Sequence, residues 1–291
     1  MSEKKQVELN DDQVKEIKRR ASEARQRFGV HQNVPIGSDI RLVLEKEGIL
    51  LCEYPFSDLE GTHTYGNITW FKTGEDTITF IGLNTSSYYD EQIFALAHEI
   101  YHFLTKTGKA YSKELDDEDP ETEKKADRFA AEFLLPADAL CDAVDSVFES
   151  SQISDTQEGK LLRFIARIQC EWWLPYRSIV NRLFEERYIS QDQYDQLYDL
   201  DCRSEDGSYR RLLKSTDNEI SELLNTRTKN IGVSNKITEV ILSNYEDGFI
   251  DETELIEVLA LFEKKPEDYG IIIGIDFDDD LAELLESEDD R

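Results

Sequence analysis

The sequence predicts an α+β protein: a small antiparallel or mixed sheet packed on a pair of helices, with a mainly helical C-terminal extension. Three observations carry that reading. Residues 48–84 are rich in Ile, Thr, Phe and Trp. They are punctuated by Gly61, Gly66 and the Thr73-Gly74-Glu75 turn, as strands and a hairpin require. From about Asp90 apolar positions recur at helical spacing almost to the end, and only 20 of the 291 residues are Gly or Pro (14 and 6), which leaves little chain for irregular structure.

Residues 11–28 read as an amphipathic helix. Val14, Ile17, Ala21, Ala24 and Phe28 form its apolar stripe, Lys, Arg and Glu fill the other face, and Asn10 with Gln13 has the spacing of a capping box. Glu16 and Glu23 interleave with Arg19 and Arg20, which marks a solvated face rather than a nucleic-acid arm. A short helix fits 39–47, with Ser38 as cap and Gly48 as stop. Strands follow at 48–56, 66–72 and 76–84. Asp90 is cap-like for a helix over 91–105. After an acidic loop, Asp119 and Pro120 open a helix over 120–135 that Pro136 stops. Further helices cover about 160–264, with Leu183, Phe184 and one of Trp172-Trp173 in the core and the other Trp at a seam. IIIGIDF at 271–277 reads as a short strand. From Asp276 to Arg291 nine acids face one Arg, a solvated tail.

Charge narrows the function classes. The 63 acidic residues exceed the 33 basic ones by 30, which argues against direct nucleic-acid binding, where Lys and Arg must neutralise phosphates, and against an anionic membrane surface. No apolar run approaches the length of a membrane span, and Met1 to Gln6 lacks the apolar segment of a signal peptide. Cys52, Cys141, Cys170 and Cys202 are scattered with no Cys-x-x-Cys pair, as reduced thiols are. The expected compartment is the cytoplasm.

The chemistry concentrates at His98-Glu99-Ile100-Tyr101-His102, which takes two of the four histidines of the chain. On a helix His98 and His102 lie one turn apart and point the same way, so both imidazoles can grip one Zn²⁺. Glu99 sits one residue round, within reach of a metal-bound water. Ile93 to Ala97 before the motif and Phe103-Leu104 after it mark a buried helix, where a polar cluster is costly unless a metal satisfies it. A catalytic Zn²⁺ wants a third protein ligand, and no histidine follows His102, so that ligand is a carboxylate or a Cys. On the next helix Glu121, Lys124, Lys125, Arg128 and Glu132 form a charged stripe expected to face water. The adjacent stripe is Glu123, Ala126, Asp127, Ala130, Ala131 and Leu134. Glu123 is thus the inward carboxylate and third ligand, and Asp127 is placed to accept the free N–H of a ligand histidine. Two imidazoles and a carboxylate favour Zn²⁺ over Mn or Fe, one ion per chain.

His98-Glu-x-x-His102 followed by Glu123-x-x-x-Asp127 resembles the gluzincin arrangement of zinc peptidases. More narrowly, ALAHEIYHFL followed by ETEKKADRFAAEFLLP is similar to the ImmA/IrrE family of metallopeptidases, with its Ala-His-Glu-x-x-His helix and its Glu-x-x-Ala-Asn/Asp-x-Phe-Ala helix ending in Leu-x-Pro. The likeness is strong over about 90–137, extends to the preceding helices and sheet, and fades to general character at 170–189. The chain lacks the Arg that usually precedes the motif, and Tyr101 stands where a small residue is common. The resemblance implies a zincin-type fold, with an N-terminal helix at 1–30, a zinc metallopeptidase core at 31–140, a helix-turn-helix-like region at 141–204 and an acidic helical region at 205–291. It implies an endopeptidase in which Glu99 is the general base, cleaving a DNA-binding repressor of helix-turn-helix type. A basic repressor face is the kind of surface an acidic protein attracts. The second reading is a binding module that sequesters such a partner through the same fold.

The oxyanion of the tetrahedral intermediate needs a donor besides the metal. His63, Tyr65, Tyr88, Tyr101, Tyr111 and the backbone are the open choices. A peptide is expected to lie along the 76–84 strand by strand addition. Residues 243–254, SNYEDGFIDETE, resemble the second half of a calcium loop, but Ser243 and Tyr245 occupy positions that need ligands, so a helix-turn-helix connection stopped by Gly248 is expected instead.

Overall fold

The computed structural model describes residues 8–56, 64–73, 76–107, 109–110, 119–148, 153 and 156–273. The chain divides into two compact units, Met1–Asn230 and Ile231–Arg291.

In the first unit α1 (Asp11–Arg27) starts on the expected reciprocal pair. Asn10 Oδ1 accepts from the Gln13 N–H and Gln13 Oε1 from the Asn10 N–H, both at 2.9 Å. Ile17, Ala21 and Ala24 are buried, and Arg19 pairs with Glu16 and Glu23 on the solvent side. Arg25 departs from the expected solvated face. It is fully buried and donates to the carbonyls of Phe133, His31 and Val34, tying the loop after α1 to the end of a later helix. Burial pulls its pKa down to about 10, against the charge of Glu132. α2 (Ile40–Lys46) is followed by Gly48 at φ +71, as expected. Ser38 is not its cap, because a 3-10 turn over Gly37–Asp39 leads into the helix.

β1 (Ile49–Tyr54), β2 (Gly66–Thr73) and β3 (Asp76–Asn84) coincide with the β-rich runs, and Thr73 pairs with Asp76 across the hairpin. With the short β4 (Lys109–Ala110) these strands run in the order β4–β2–β3–β1. β2 is antiparallel to β3, while β1 is parallel to β3 and β4 to β2, so the sheet is mixed. Ile49, Leu51, Ile68, Ile81 and Leu83 are buried and form the core side of the sheet. Phe71 and Ile78, paired with each other on the opposite face, are exposed. β3 is the interior strand, hydrogen-bonded on both sides. It has no edge to offer a peptide, contrary to the expectation for 76–84.

α3 (Tyr89–Thr105) packs on β2 and β3 and is buried almost all round, as its apolar flanks require. Its cap is Tyr88 rather than Asp90, and Glu91 reaches back to accept the Tyr88 N–H at 3.1 Å. Asp90 is instead fully buried. It accepts from Gln169 at 3.0 Å and from Arg203 at 2.7 Å, and its pKa is raised by burial against the pull of Arg203. α4 (Pro120–Leu134) opens on Asp119, which accepts from the N–H groups of Glu121 and Thr122. Ala126 and Ala130 are fully buried and let α4 pack closely on α3 and α1.

The stripe of α4 expected to face water does so only at its start, since Arg128 and Glu132 are each 5% exposed. α7 (Tyr176–Glu185) and the start of α5 (Ala137–Phe148) cover that side, and α6 (Glu158–Trp172), α8 (Gln191–Tyr198), α9 (Ser208–Thr216) and α10 (Asn218–Leu224) complete the unit. Trp172 is in the core. Trp173 adopts φ +57 at the end of α6 and wedges against Gly37, where a Cβ would stand 2.7 Å from the Cβ of Trp173.

The second unit contains α11 (Asn235–Glu246) and α12 (Glu252–Ala260). Gly248 at φ +74 ends α11. Its N–H donates to the Tyr245 carbonyl and that of Phe249 to the Asn244 carbonyl, a full Schellman stop. Asp251 and Glu254 form the capping box of α12 rather than calcium-loop positions, as the helix-turn-helix expectation required. Ile271 to Ile273 carry no strand, and the rest of the expected 271–277 strand and the acidic tail lie outside the described residues. All four cysteines are free, and among the described residues no helix is long and apolar enough to cross a membrane.

Candidate metal centre and cleft

α3 and α4 bring His98, His102 and Glu123 together, with one ligand atom from each within 4.8 Å of the others. His98 Nε2 lies 3.1 Å from His102 Nε2 and 3.2 Å from Glu123 Oε2, and His102 Nε2 lies 3.4 Å from Glu123 Oε1. Ligands at 2.0–2.1 Å around a tetrahedral Zn²⁺ stand about 3.3–3.4 Å apart, so the donor set fits that ion in element, number and spacing. The helical turn between the histidines supplies one edge, and the Ala126 and Ala130 contact of α4 brings the carboxylate within range.

The far side of each imidazole is also held. His98 Nδ1 is 3.0 Å from Asp127 Oδ1, the partner expected from the stripe, although the Asp127 side chain is itself 54% exposed at the rim. His102 Nδ1 is 3.0 Å from Thr107 Oγ1, which is 2.6 Å from Thr105 Oγ1, which donates to the Tyr101 carbonyl at 2.8 Å. That chain has one consistent direction: His102 Nδ1–H to Thr107, Thr107 to Thr105, Thr105 to the carbonyl. It leaves Nε2 of His102 turned toward His98 and Glu123, the nitrogen that would be offered to an ion. Thr107 was not anticipated. It returns to the ring because Lys106, at φ 56, turns the chain back at the end of α3. Only the polar Thr-Lys-Thr-Gly run after the helix hinted at such a turn.

Burial works against charge on His98, but the carboxylates of Asp127 and Glu123 and the charge of Glu99 outweigh it, and the pKa of the ring is pushed up to about 10. The site is an electrostatic trap for positive charge, whether carried by a proton or by a divalent ion. Removing either outer partner, by Asp127→Ala or Thr107→Val, is expected to weaken Zn²⁺ affinity by roughly 10–100-fold, read by competition with a chromogenic chelator. Unchanged affinity in both variants would show that neither contact orients a ligand.

Glu99 is 5% exposed and its carboxylate lies against the start of β2, where a Cβ at Gly66 would stand 3.5 Å from Glu99 Oε1. A cleft of about 640 Å³ opens over Glu99, His98 and Glu123. One side is lined by Thr64 to Asn67 and the other by α4 and α7. β2 pairs with β4 only at Thr69 and Trp70, so among the described residues the free edge at the cleft is Gly66 to Ile68. Tyr65 lines the cleft. Tyr101 does not. It is 7% exposed and packs on Phe129 of α4. Tyr88 is engaged at the start of α3 under the guanidinium groups of Arg203 and Arg227. His63 and Tyr111 lie outside the described residues.

The segment 44–149 matches the family model of Peptidase_M78, the IrrE N-terminal-like domain, a metallopeptidase-like fold. The match spans the sheet, α3 and α4. No curated protein matches the chain.

Proposed function

With an IrrE N-terminal-like domain over residues 44–149 as the premise, we propose that the protein is a zinc-dependent endopeptidase that cleaves a DNA-binding repressor of helix-turn-helix type. The observation that carries the reading is the convergence of two imidazoles and one carboxylate at tetrahedral spacing, with a fourth side chain, Glu99, buried beside them in the same cleft.

His98, His102 and Glu123 would hold the ion, and Asp127 and Thr107 would keep the two rings turned toward it. A Zn²⁺ ion there supplies Lewis acidity, bringing the pKa of water toward about 7 and polarising the scissile carbonyl. Glu99 takes the proton of the attacking water at one carboxylate oxygen and delivers it to the departing amine nitrogen. Its burial against Gly66 holds that carboxylate in one place, so little reorganisation precedes the transfer. The peptide lies along the free edge of β2 at Gly66 to Ile68, adding a strand to the sheet. Tyr65, the candidate donor described in the cleft, stands at the head of that edge and serves the oxyanion.

The test is co-expression with a repressor-type protein encoded by a neighbouring gene, followed by the purified pair, with fragments read by mass spectrometry. One defined cut is expected, abolished by a chelator and restored by Zn²⁺. A repressor that stays whole in the metal-replete protein would refute the proposal.

A further inference from the structure

Past the metal-binding trio the cleft runs along α7, and there its chemistry changes. The charges that knit α1, α4 and α7 cancel: Lys18, Arg128 and Arg182 are matched by Glu132, Glu185 and Glu186. Lys124 and Arg177 also line the cleft, outside that balance, and no carboxylate pairs with either among the described residues. Arg177 is exposed yet positioned, because its guanidinium lies 5.1 Å from the centre of the Tyr198 ring. Stacking of this kind leaves the in-plane N–H fork open to a second partner. Asn181 is one turn further along α7 on the same face. Its Oδ1 accepts from the Tyr194 hydroxyl at 2.9 Å, which leaves Nδ2 as its spare group, a donor. Ser178 lines the same wall. The acid nearest by sequence, Glu185, is already held by Arg128 at 3.0 Å. This wall therefore offers a guanidinium fork, an amide NH₂ and a hydroxyl, with Lys124 across the cleft.

We propose that the α7 wall is a carboxylate subsite, in which Arg177 and the Nδ2 of Asn181 receive an acidic group of the bound peptide. The inference rests on the peptide-substrate reading above and names the substrate feature that the site selects. A planar fork with a flanking amide donor matches the two oxygens of a carboxylate. The chain as a whole, at −30, repels acids, and the acids Glu91, Glu99, Glu123 and Asp127 line the rest of the cleft, so attraction is confined to the α7 wall, where Arg177 and Arg182 face Glu185 alone among the described residues.

A synthetic library of random short peptides, with free and with amidated C-termini, is offered to the metal-loaded full-length Glu99→Gln protein, and the bound fraction is sequenced by mass spectrometry. Asp and Glu are expected to be enriched about tenfold or more at one position. Arg177→Ala, at an exposed site, is expected to lose that enrichment, and Arg177→Glu to replace it by Lys and Arg. Enrichment that persists after amidation assigns the carboxylate to a side chain. Enrichment of free over amidated peptides assigns it to the peptide terminus. A bound fraction with no acidic preference, or the same preference after Arg177→Ala, overturns the subsite. A wild-type protein that binds acidic peptides but cuts none overturns the peptidase reading instead, so the two failures are distinct.

Discussion

Replacing Glu99 by Gln is expected to lower the rate of peptide cleavage by roughly two to four orders of magnitude, the usual share of a positioned acid–base group. The metal should stay. Glu99 is outside the His98, His102 and Glu123 trio, and Gln keeps the shape that packs against Gly66. Substrate affinity should also hold, so kcat carries the loss and KM does not. Elemental analysis and single-turnover cleavage of the same preparation check both halves. Glu123→Ala should behave differently and lose the ion itself, because it removes one of only three protein ligands. The pair of variants also separates an enzyme from a protein that merely sequesters its partner. If Glu99→Gln leaves the cellular response of the partner unchanged, cleavage is dispensable and the sequestering module stands.

The second large effect lies away from the chemistry. Arg182→Ala is expected to cost about 3–5 kcal/mol, the usual result of breaking a buried ion pair from one side. Arg182 is fully buried. Its guanidinium meets Glu132 and Glu186, both at 2.9 Å, and donates at 3.0 Å to the carbonyl of Leu135, the residue that caps the end of α4. Without it that carbonyl loses its donor, and Glu132, which also accepts the first N–H of α5 from Ala137 at 2.7 Å, keeps Arg128 as its one remaining cation among the described residues. Burial lowers the Arg182 pKa and the surrounding carboxylates oppose that, so the group depends on its partners to stay charged. At about 2–4 °C per kcal/mol for a unit of this size, the melting temperature should fall by roughly 6–20 °C. Lys18→Ala removes the outer member of the same network. Its side chain is 33% exposed, so the cost should stay below about 1 kcal/mol. Thermal melts of the two variants decide the matter, and equal shifts would mean that burial is not what gives Arg182 its weight.

The grouping of His98, His102 and Glu123 is legible in the sequence, because its information is local. Two histidines four residues apart specify their own geometry once the helix forms, and Glu123 was picked out by the small residues on its stripe. The Asp127 contact to His98 follows from the same periodicity. Local pattern misleads where a charged residue is buried rather than solvated. Arg25, Arg128 and Glu132 carry the signature of a solvated face and are buried, because Phe133, Glu186 and Arg182, all far away in the chain, satisfy them. Asp90 has the same history: a good cap by composition, it serves instead as the buried partner of Arg203 and Gln169. Thr107 escaped notice because a hydroxyl has no motif, and its role depends on a backbone reversal at Lys106.

By itself, then, the order of residues determined the strands and helices around the site, the one-turn spacing of His98 and His102, the caps at Asn10 and Asp119, and the stop at Gly248. All of these depend on neighbours within about one turn, where periodicity and backbone preference act. The tertiary structure alone decided which strand has a free edge, which charges are buried, and which wall of the cleft carries unmatched cations. Strand order and ion pairing join residues far apart in the chain, and no local pattern records which partner a strand edge or a guanidinium will meet.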